Sequence, residues 1–458
     1  MFEKLNNKDL FIYPYYDDSG MDSQDKLFLL YSPITRKAVW IDFETANRIE
    51  NEDLINDQLQ KVIDELTDFI PLKYQTCKVR QVKDYPLLTV LPNQKCNLSC
   101  SYCYSAKGRS NTELDSQILK NTIDFFIDSK EHNKPLSISY MGGGEPMLSW
   151  PLVSESILYA KKTALSLNKK IDFTIITNGT IITNSIIDFI IENEVNISIS
   201  FDIIKEIQNE QRGQYDQVVC SIRSLIAHGI IPQINSTITP KNVNRMLEMY
   251  LLLETQFPEI RNMMFEPVTA SELFLEAKYL ACFLKEYTRS FLAIDLLARE
   301  KDKSLTSFPY LRTVFPTERA CAGEFCLTAD GKLSGCYCIT TPVDCAYDKC
   351  IYGEVLATNE GENVVINRTI LESLLNENVY SKTICNECCV KWNCGGGCFH
   401  LFNSYPQTLL EAFCDFTREY VQKVVLSRYE RLYKKHFGVM PNENKEGIKK
   451  NLTILNVG

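Results

Sequence analysis

Cys96, Cys100 and Cys103 stand in the run Cys96-Asn97-Leu98-Ser99-Cys100-Ser101-Tyr102-Cys103, and a second array, Cys385, Cys388, Cys394, Cys398 and Cys414, lies far downstream. Thiolates at such spacings hold zinc or iron–sulfur clusters. Zinc commonly takes its ligands as two CxxC pairs, and the first triplet has no fourth cysteine or histidine near it. Three thiolates occupy three corners of a 4Fe-4S cube and leave one iron open to another ligand. Chemistry is expected to start at that iron.

Placed in a loop after the first predicted strand, with the aromatic Tyr102 before its last cysteine, the CxxxCxxC run resembles the radical S-adenosylmethionine (SAM) superfamily. The resemblance implies that the open iron is chelated by the amino and carboxylate groups of SAM. Reduction then yields methionine and a 5′-deoxyadenosyl radical that abstracts hydrogen, while the protein positions the reactants and excludes solvent. Gly142-Gly143-Gly144-Glu145-Pro146 ends the second predicted strand, where successive glycines permit close backbone approach. It is similar to the superfamily's GGE motif, which assigns Gly143, Gly144 and Glu145 to the SAM amino group. Thr177-Asn178-Gly179-Thr180 is similar to the TNGT turn and adds Asn178. Ser200 and Asp202 stand where relatives read S-x-D-G near the ribose, with Ile203 in the glycine's place. Arg212 matches an arginine that pairs with the SAM carboxylate, a contact suited to guanidinium, although Gln208-Asn209 replaces the usual histidine–aspartate pair. Tyr102 completes the expected cofactor-binding set.

Cys321 is followed after nine residues by Gly331 and after four more by Cys336; Cys385-x2-Cys388-x5-Cys394-x3-Cys398 and Cys414 follow. This resembles the seven-cysteine SPASM pattern. The resemblance implies two auxiliary 4Fe-4S clusters, one on Cys321, Cys336 and Cys398, the other on Cys385, Cys388, Cys394 and Cys414. Cys326 is the expected fourth ligand of the first; if it does not reach, that cluster keeps an open iron for a substrate thiolate. Cys338, Cys345, Cys350 and Cys389 are surplus to the pattern, and inert thiols are their default reading.

These residues need a frame. From Pro86 to about Pro267, apolar runs of strand length (Leu87 to Val90, Ser137 to Met141, Phe173 to Thr177, Asn196 to Phe201, Gln233 to Thr239, Asn262 to Phe265) alternate with amphipathic helical stretches. Six such alternations predict parallel strands with right-handed crossovers. The expected fold is therefore α/β, a partial (β/α)6 barrel over residues 86–270, with functional loops at the strands' C-terminal ends. Residues 1–80 read as a hairpin around Ser32-Pro33-Ile34-Thr35-Arg36 followed by a helix, a winged-helix-like module resembling leader-peptide recognition elements. A helical linker (271–318), a SPASM domain with a closing helix (319–437) and a polar tail (438–458) complete the expected order. Metal is expected to supply much of the cysteine-rich domain's folding energy.

With 458 residues, 45% hydrophobic and 23% charged, the composition is globular. No run is long enough to span a bilayer, and Met1-Phe2-Glu3-Lys4 begins no export signal; a cytoplasmic location is expected, with reduced thiolates rather than disulfides. The net charge of −9 argues against nucleic acid as partner. The expected partners are a precursor peptide with a leader and a low-potential donor such as flavodoxin or ferredoxin. The leading functional expectation is a maturase that installs a thioether or carbon–carbon cross-link on a ribosomally made peptide. An anaerobic sulfatase-maturating enzyme forming formylglycine, and a non-catalytic peptide-binding scaffold, are its rivals.

Overall fold

A computed structural model describes residues 9–15, 26–51, 56–68, 81–128, 135–320, 324–358 and 362–456. Cys321 lies outside the described residues. Three strands, β1 (Phe11–Pro14), β2 (Leu27–Ser32) and β3 (Lys37–Asp42), form an antiparallel meander. Asp42 ends β3 and caps helix α1 (Phe43–Glu50), its carboxylate accepting from Thr45 N at 2.8 Å; Asn56 caps α2 (Asp57–Thr67) in the same way through Leu59 N. These caps satisfy amides that the helix itself leaves orphaned.

Both faces of this small sheet are apolar, and each has its own cover. Ile12, Phe28, Leu30, Val39 and Ile41 pack on α1 and α2. Phe11, Tyr13, Leu29, Tyr31 and Trp40 pack against Val421, Val425, Tyr429 and Tyr433 of the closing helix Gln407–Phe437 and against Val390 and Trp392 of the second cysteine array. Polar contacts reinforce that seam: the Tyr13 hydroxyl donates to the Cys389 carbonyl (3.0 Å), the Tyr429 hydroxyl to the Arg36 carbonyl (2.6 Å), and the Asn393 amide to the Tyr31 hydroxyl (3.2 Å). The module is thereby fixed to the far end of the sequence.

Of residues 438–458, expected as a polar tail, those described (438–456) fold differently. The closing helix ends at Gly438 with φ +79, the left-handed conformation that glycine adopts without strain. The chain then returns through the helix Lys445–Lys450 to a strand, Ile454–Asn456, that pairs antiparallel with β3. Ile448, Leu452, Ile454 and Leu455 pack into the two N-terminal clusters. Few apolar residues anchor the segment, so composition alone reads it as solvated.

The central sheet is built from β4 (Leu87–Val90), β5 (Leu136–Tyr140), β6 (Ile171–Thr177), β7 (Asn196–Ser200), β8 (Gln233–Ile238) and β9 (Asn262–Pro267), all parallel neighbours in sequence order. Helices α3 (Ser116–Ile127), α4 (Trp150–Ser166), α5 (Asn184–Asn193), α6 (Lys205–Gln211), α7 (Tyr215–Ala227) and α8 (Met246–Gln256) connect them. Ile138, Phe173, Ile175, Ile199, Ile234 and Phe265 are buried with the apolar stripes of those helices. Alternation along each strand gives the opposite face to polar side chains in register, Thr89 beside Ser139 beside Thr174, and Thr237 beside Glu266.

The cysteine-rich region is less separate than expected. The strand Phe325–Leu327 pairs parallel with β4, setting Cys326 beside Thr89, and strands Lys332–Ser334, Ile351–Val355 and Val364–Ile366 extend the sheet antiparallel. On the other side Ser304–Thr306 pairs parallel with β9, making eleven strands in one sheet. Phe325, Leu327, Leu333 and Tyr352 join the main core. Backbone pairing and apolar burial, besides any metal, therefore hold this region. Among the described residues no helix is long and apolar enough to cross a membrane.

Candidate active site

The loops at the C-terminal ends of β4 to β7 converge. After β4, the Asn93 side chain donates to the Glu145 carbonyl (2.9 Å) and Ser149 hydroxyl (2.8 Å), and Glu145 N donates to the Lys95 carbonyl at 2.7 Å. The cysteine loop and the glycine loop are zipped together backbone to backbone. A Cβ on Gly144 would stand 1.9 Å from the Lys95 carbonyl oxygen and 2.3 Å from Asn93 Oδ1, and one on Gly143, at φ +66, 2.6 Å from the Asn93 carbonyl oxygen. Only glycine fits between these loops.

Glu145 is 2% exposed. Its carboxylate accepts from Thr177 Oγ1 (2.6 Å), Asn178 N (2.7 Å) and Met147 N (3.0 Å). Burial raises its pKa, against those three bonds and the charge of Arg212. A carboxylate has about four acceptor positions, so one remains for a further donor such as an ammonium. Its larger structural role is to tie the glycine loop to the turn after β6. Asn178 reaches onward: its amide donates to Asn97 Oδ1 at 2.9 Å, and Asn97 donates to Thr180 Oγ1 at 2.8 Å. The second residue of the cysteine run is thus held by the TNGT turn.

On the other flank, Tyr102, Asp202 and Arg212 meet. The Tyr102 hydroxyl donates to Asp202 Oδ2 (2.7 Å) and accepts from Arg212 Nη1 (3.0 Å), and the guanidinium lies 6.0 Å from the ring centroid. Burial raises the Asp202 pKa, opposed by Arg212, Tyr102 and Thr237 N. Gln208, which replaces the expected histidine, accepts from Asp202 N (2.8 Å) and donates to the Gly213 carbonyl (2.8 Å), pinning both ends of the loop. Ile203, in the place of glycine, takes φ +66 in a three-residue turn closed by Ile204 N on the Asp202 carbonyl (2.7 Å). The isoleucine is 2% exposed and the turn strained. Ser200 ends β7 half-buried in register with Asn235, outside the Tyr102–Asp202–Arg212 network.

The three sulfurs sit in a cationic setting. Arg109 Nη2 donates to Cys103 Sγ at 3.1 Å. Burial raises the Cys100 pKa, while Arg212 is the main influence lowering it. The buried Nε atoms of Arg109 and Arg212 have no hydrogen-bond partner, donors held ready beside the thiolates. Among the described residues no three histidine, cysteine or carboxylate groups close on a single metal ion. Three thiol sulfurs with a guanidinium donor beside them are a donor set that fits a 4Fe-4S cluster.

In the second array, Cys385, Cys388, Cys394 and Cys414 share one neighbourhood. Burial pushes the Cys394 thiol up to about 12, with Cys388, Cys414 and Cys385 adding to the rise against Arg312. Burial likewise pushes Cys414 up to about 11, with Cys388 and Cys385 again contributing. Cys326 and Cys336 are buried on and after the strands that extend the sheet. Cys338 and Cys350, set aside as surplus, pack in one small cluster with Cys336, and Phe399 links that cluster to Cys398 in the main core.

Several residues carry no motif and emerge only in three dimensions. Asn97 lies within the cysteine run and Asn93 and Arg109 flank it, closely enough for their sequence position to have been a signal. Tyr104 and Tyr337, the residues directly after Cys103 and Cys336, stack edge to face at 5.8 Å. Glu266 lies on the polar face of β9 and accepts from Phe308 N at 2.8 Å; burial raises its pKa to about 7, against that bond and Arg312.

Residues 90–253 match the model of the radical SAM superfamily. The chain carries a radical SAM domain. Such a domain takes a 4Fe-4S cluster and SAM. The radical SAM cyclopropyl synthase TigE of Paramaledivibacter caminithermalis is 29% identical over 152 residues, 30% of this chain and 31% of that protein. A cysteine-type anaerobic sulfatase-maturating enzyme of Clostridium novyi is 25% identical over 179 residues, 36% of this chain and 47% of that one. An uncharacterized Methanocaldococcus jannaschii protein is 32% identical over 108 residues, 35% of its length. The radical SAM match thus spans about a third to a half of these curated relatives. Native anSMEcpe with bound AdoMet superposes with TM-score 0.59 at 19% identity, covering 74% of this chain and 98% of that one. Streptococcus suis SuiB bound to the precursor peptide SuiA gives 0.50 at 13%, covering 89% and 98%. The fold of this chain is similar to theirs.

Proposed function

We propose that the chain is a radical SAM maturase of ribosomally made peptides, acting on a leader-bearing precursor to form a thioether or carbon–carbon cross-link. When bound, SAM and the first cluster supply one-electron cleavage and hydrogen abstraction. Cys96, Cys100 and Cys103 would ligate that cluster, and Glu145 with the Gly143-Gly144 backbone would face the SAM amino group. Arg212, steadied by Tyr102 and Asp202, would face the carboxylate, with Asn178 and Ser200 bordering the nucleoside. The zipped glycine and cysteine loops orient these groups and exclude water. Cys385, Cys388, Cys394 and Cys414 would hold one auxiliary cluster, and Cys321, Cys336 and Cys398, with Cys326, another. A flavodoxin- or ferredoxin-type donor would supply the electron.

The observation that carries the peptide reading is the β1–β3 sheet docked on the second cysteine array. A sheet edge is a surface to which an extended peptide adds. Formylglycine formation is the second reading, favoured by the similarity to sulfatase-maturating enzymes. Yet 98% of the anSMEcpe chain covers only 74% of this one, and a short substrate motif gives the surplus no task. The test is anaerobic reconstitution with SAM and reductant, scoring 5′-deoxyadenosine and then the mass of peptides encoded beside the gene. A cross-linked product is expected, 2 Da lighter and without the aldehyde that would mark a serine oxidised to formylglycine at the same mass loss. Absence of deoxyadenosine ends the enzyme reading; conversion of a sulfatase peptide alone ends the cross-linking one.

A further inference from the structure

The edge of β3 is occupied by the chain itself. Ile454, Leu455 and Asn456 pair with Val39, Ala38 and Lys37, whereas β2 pairs with all six residues of β3 on its other side. Among the described residues, Trp40, Ile41 and Asp42 have no strand partner on the edge that Ile454–Asn456 takes. Side chains of the returning segment enter both layers: Leu452, just before the strand, and Ile454 pack toward α1 and α2, and Leu455, 6% exposed, toward the closing helix. That is the period-two alternation of an extended ligand, main chain on the ladder and side chains in alternate pockets. A three-residue strand gains few ladder bonds for the backbone freedom it surrenders.

Resting on the maturase reading, we propose that Ile454–Asn456 is a displaceable placeholder on the precursor-docking edge of β3. The occupant that replaces it is an extended segment of the precursor peptide, about six residues long, pairing along the whole of β3. It presents apolar side chains at two alternate positions on the α1–α2 side and one between them on the closing-helix side. The longer ladder gives the precursor its advantage over the tethered strand, and a peptide lacking the apolar triplet is turned away by the high effective concentration of a tethered competitor. Engagement thereby selects substrates before any chemistry begins.

The test uses the reconstituted full chain, a chain shortened after Asn451, and full-length Leu455→Asp, each checked for an unchanged circular dichroism spectrum. The probe is a fluorescein-labelled peptide of residues 450–456. The shortened chain and Leu455→Asp are expected to bind it at least tenfold more tightly than the full chain, as is any precursor that the enzyme modifies. The amides of Ala38 and Val39 point to opposite edges of β3, and the one facing Ile454–Asn456 is expected to exchange faster than the amides within the β1–β2 pair. Equal affinity of all three proteins for the probe overturns the proposal. A precursor that is modified but fails to displace the probe from the shortened chain also overturns it, and leaves the maturase reading standing. Displacement by neighbouring peptides that are never modified refutes the maturase reading while docking at β3 stands.

Discussion

Ile203 offers a reversal of an ordinary rule. At most buried positions alanine is more stable than glycine, because glycine's freer unfolded chain costs about 0.4–1 kcal/mol. Ile203 sits at φ +66, in a turn closed by Ile204 N and the Asp202 carbonyl, where a side chain costs about 1–3 kcal/mol in strain. Ile203→Ala keeps the strain and loses a buried side chain, a cost of about 2–5 kcal/mol. Ile203→Gly loses the same side chain but relieves the strain. The difference places the glycine variant about 1 kcal/mol above the alanine variant, with both below wild type. At a urea m-value of about 3 kcal/mol/M this separates their midpoints by about 0.3 M, readable by circular dichroism on the reconstituted protein under anaerobic conditions. SAM affinity follows the same order, because the turn carries Asp202 and hence Tyr102. If alanine is as stable as glycine, or more so, the turn at Ile203 is not strained.

Other outcomes follow from the same geometry. Gly144→Ala forces the glycine and cysteine loops apart, since its Cβ would lie 1.9 Å from the Lys95 carbonyl oxygen; SAM affinity in equilibrium dialysis should fall at least tenfold, about 1.4 kcal/mol. Tyr102→Phe removes the hydroxyl between Asp202 and Arg212 and leaves both short of a buried partner, lowering stability by about 1–3 kcal/mol, with a matching loss in denaturant midpoint. Glu266 has a folded-state pKa raised from 4.5 to about 7, so the native state binds the extra proton. Stability contributed by that group therefore falls as pH rises from about 5 to 7. Glu266→Gln should flatten that part of the profile; an identical slope in both proteins would show that the carboxyl does not titrate there.

The legible parts of the sequence are those whose signal is local. Cysteine spacings, glycine runs and the 2-to-3.6 alternation of apolar residues lie within one loop or one element, and the predicted strand starts at Leu87, Asn196, Gln233 and Asn262 coincide with the observed ones. The site's orientation is not local. Tyr102 meets Asp202 across 100 residues and Arg212 across 110, and no propensity or spacing encodes which of several polar residues will face one another. Gln208 illustrates the same limit: as a departure from the expected pair it reads as a loss, while in the fold it clamps the loop through two bonds.

By itself, the sequence determined which chemistry-bearing residues this protein has and at what spacing: cysteines at metal-ligand intervals, consecutive glycines beside a glutamate, and alternating elements that require a parallel sheet. Those follow from covalent spacing and side-chain type. Only the tertiary structure decided that the cysteine-rich region continues the barrel sheet through β4, that the N-terminal sheet is seated on the second cysteine array, and that Ile454–Asn456 closes the edge of β3. Each depends on which apolar faces find one another over hundreds of residues. Burial rewards contact area without regard to sequence distance, so those pairings are settled by the collective packing of the chain.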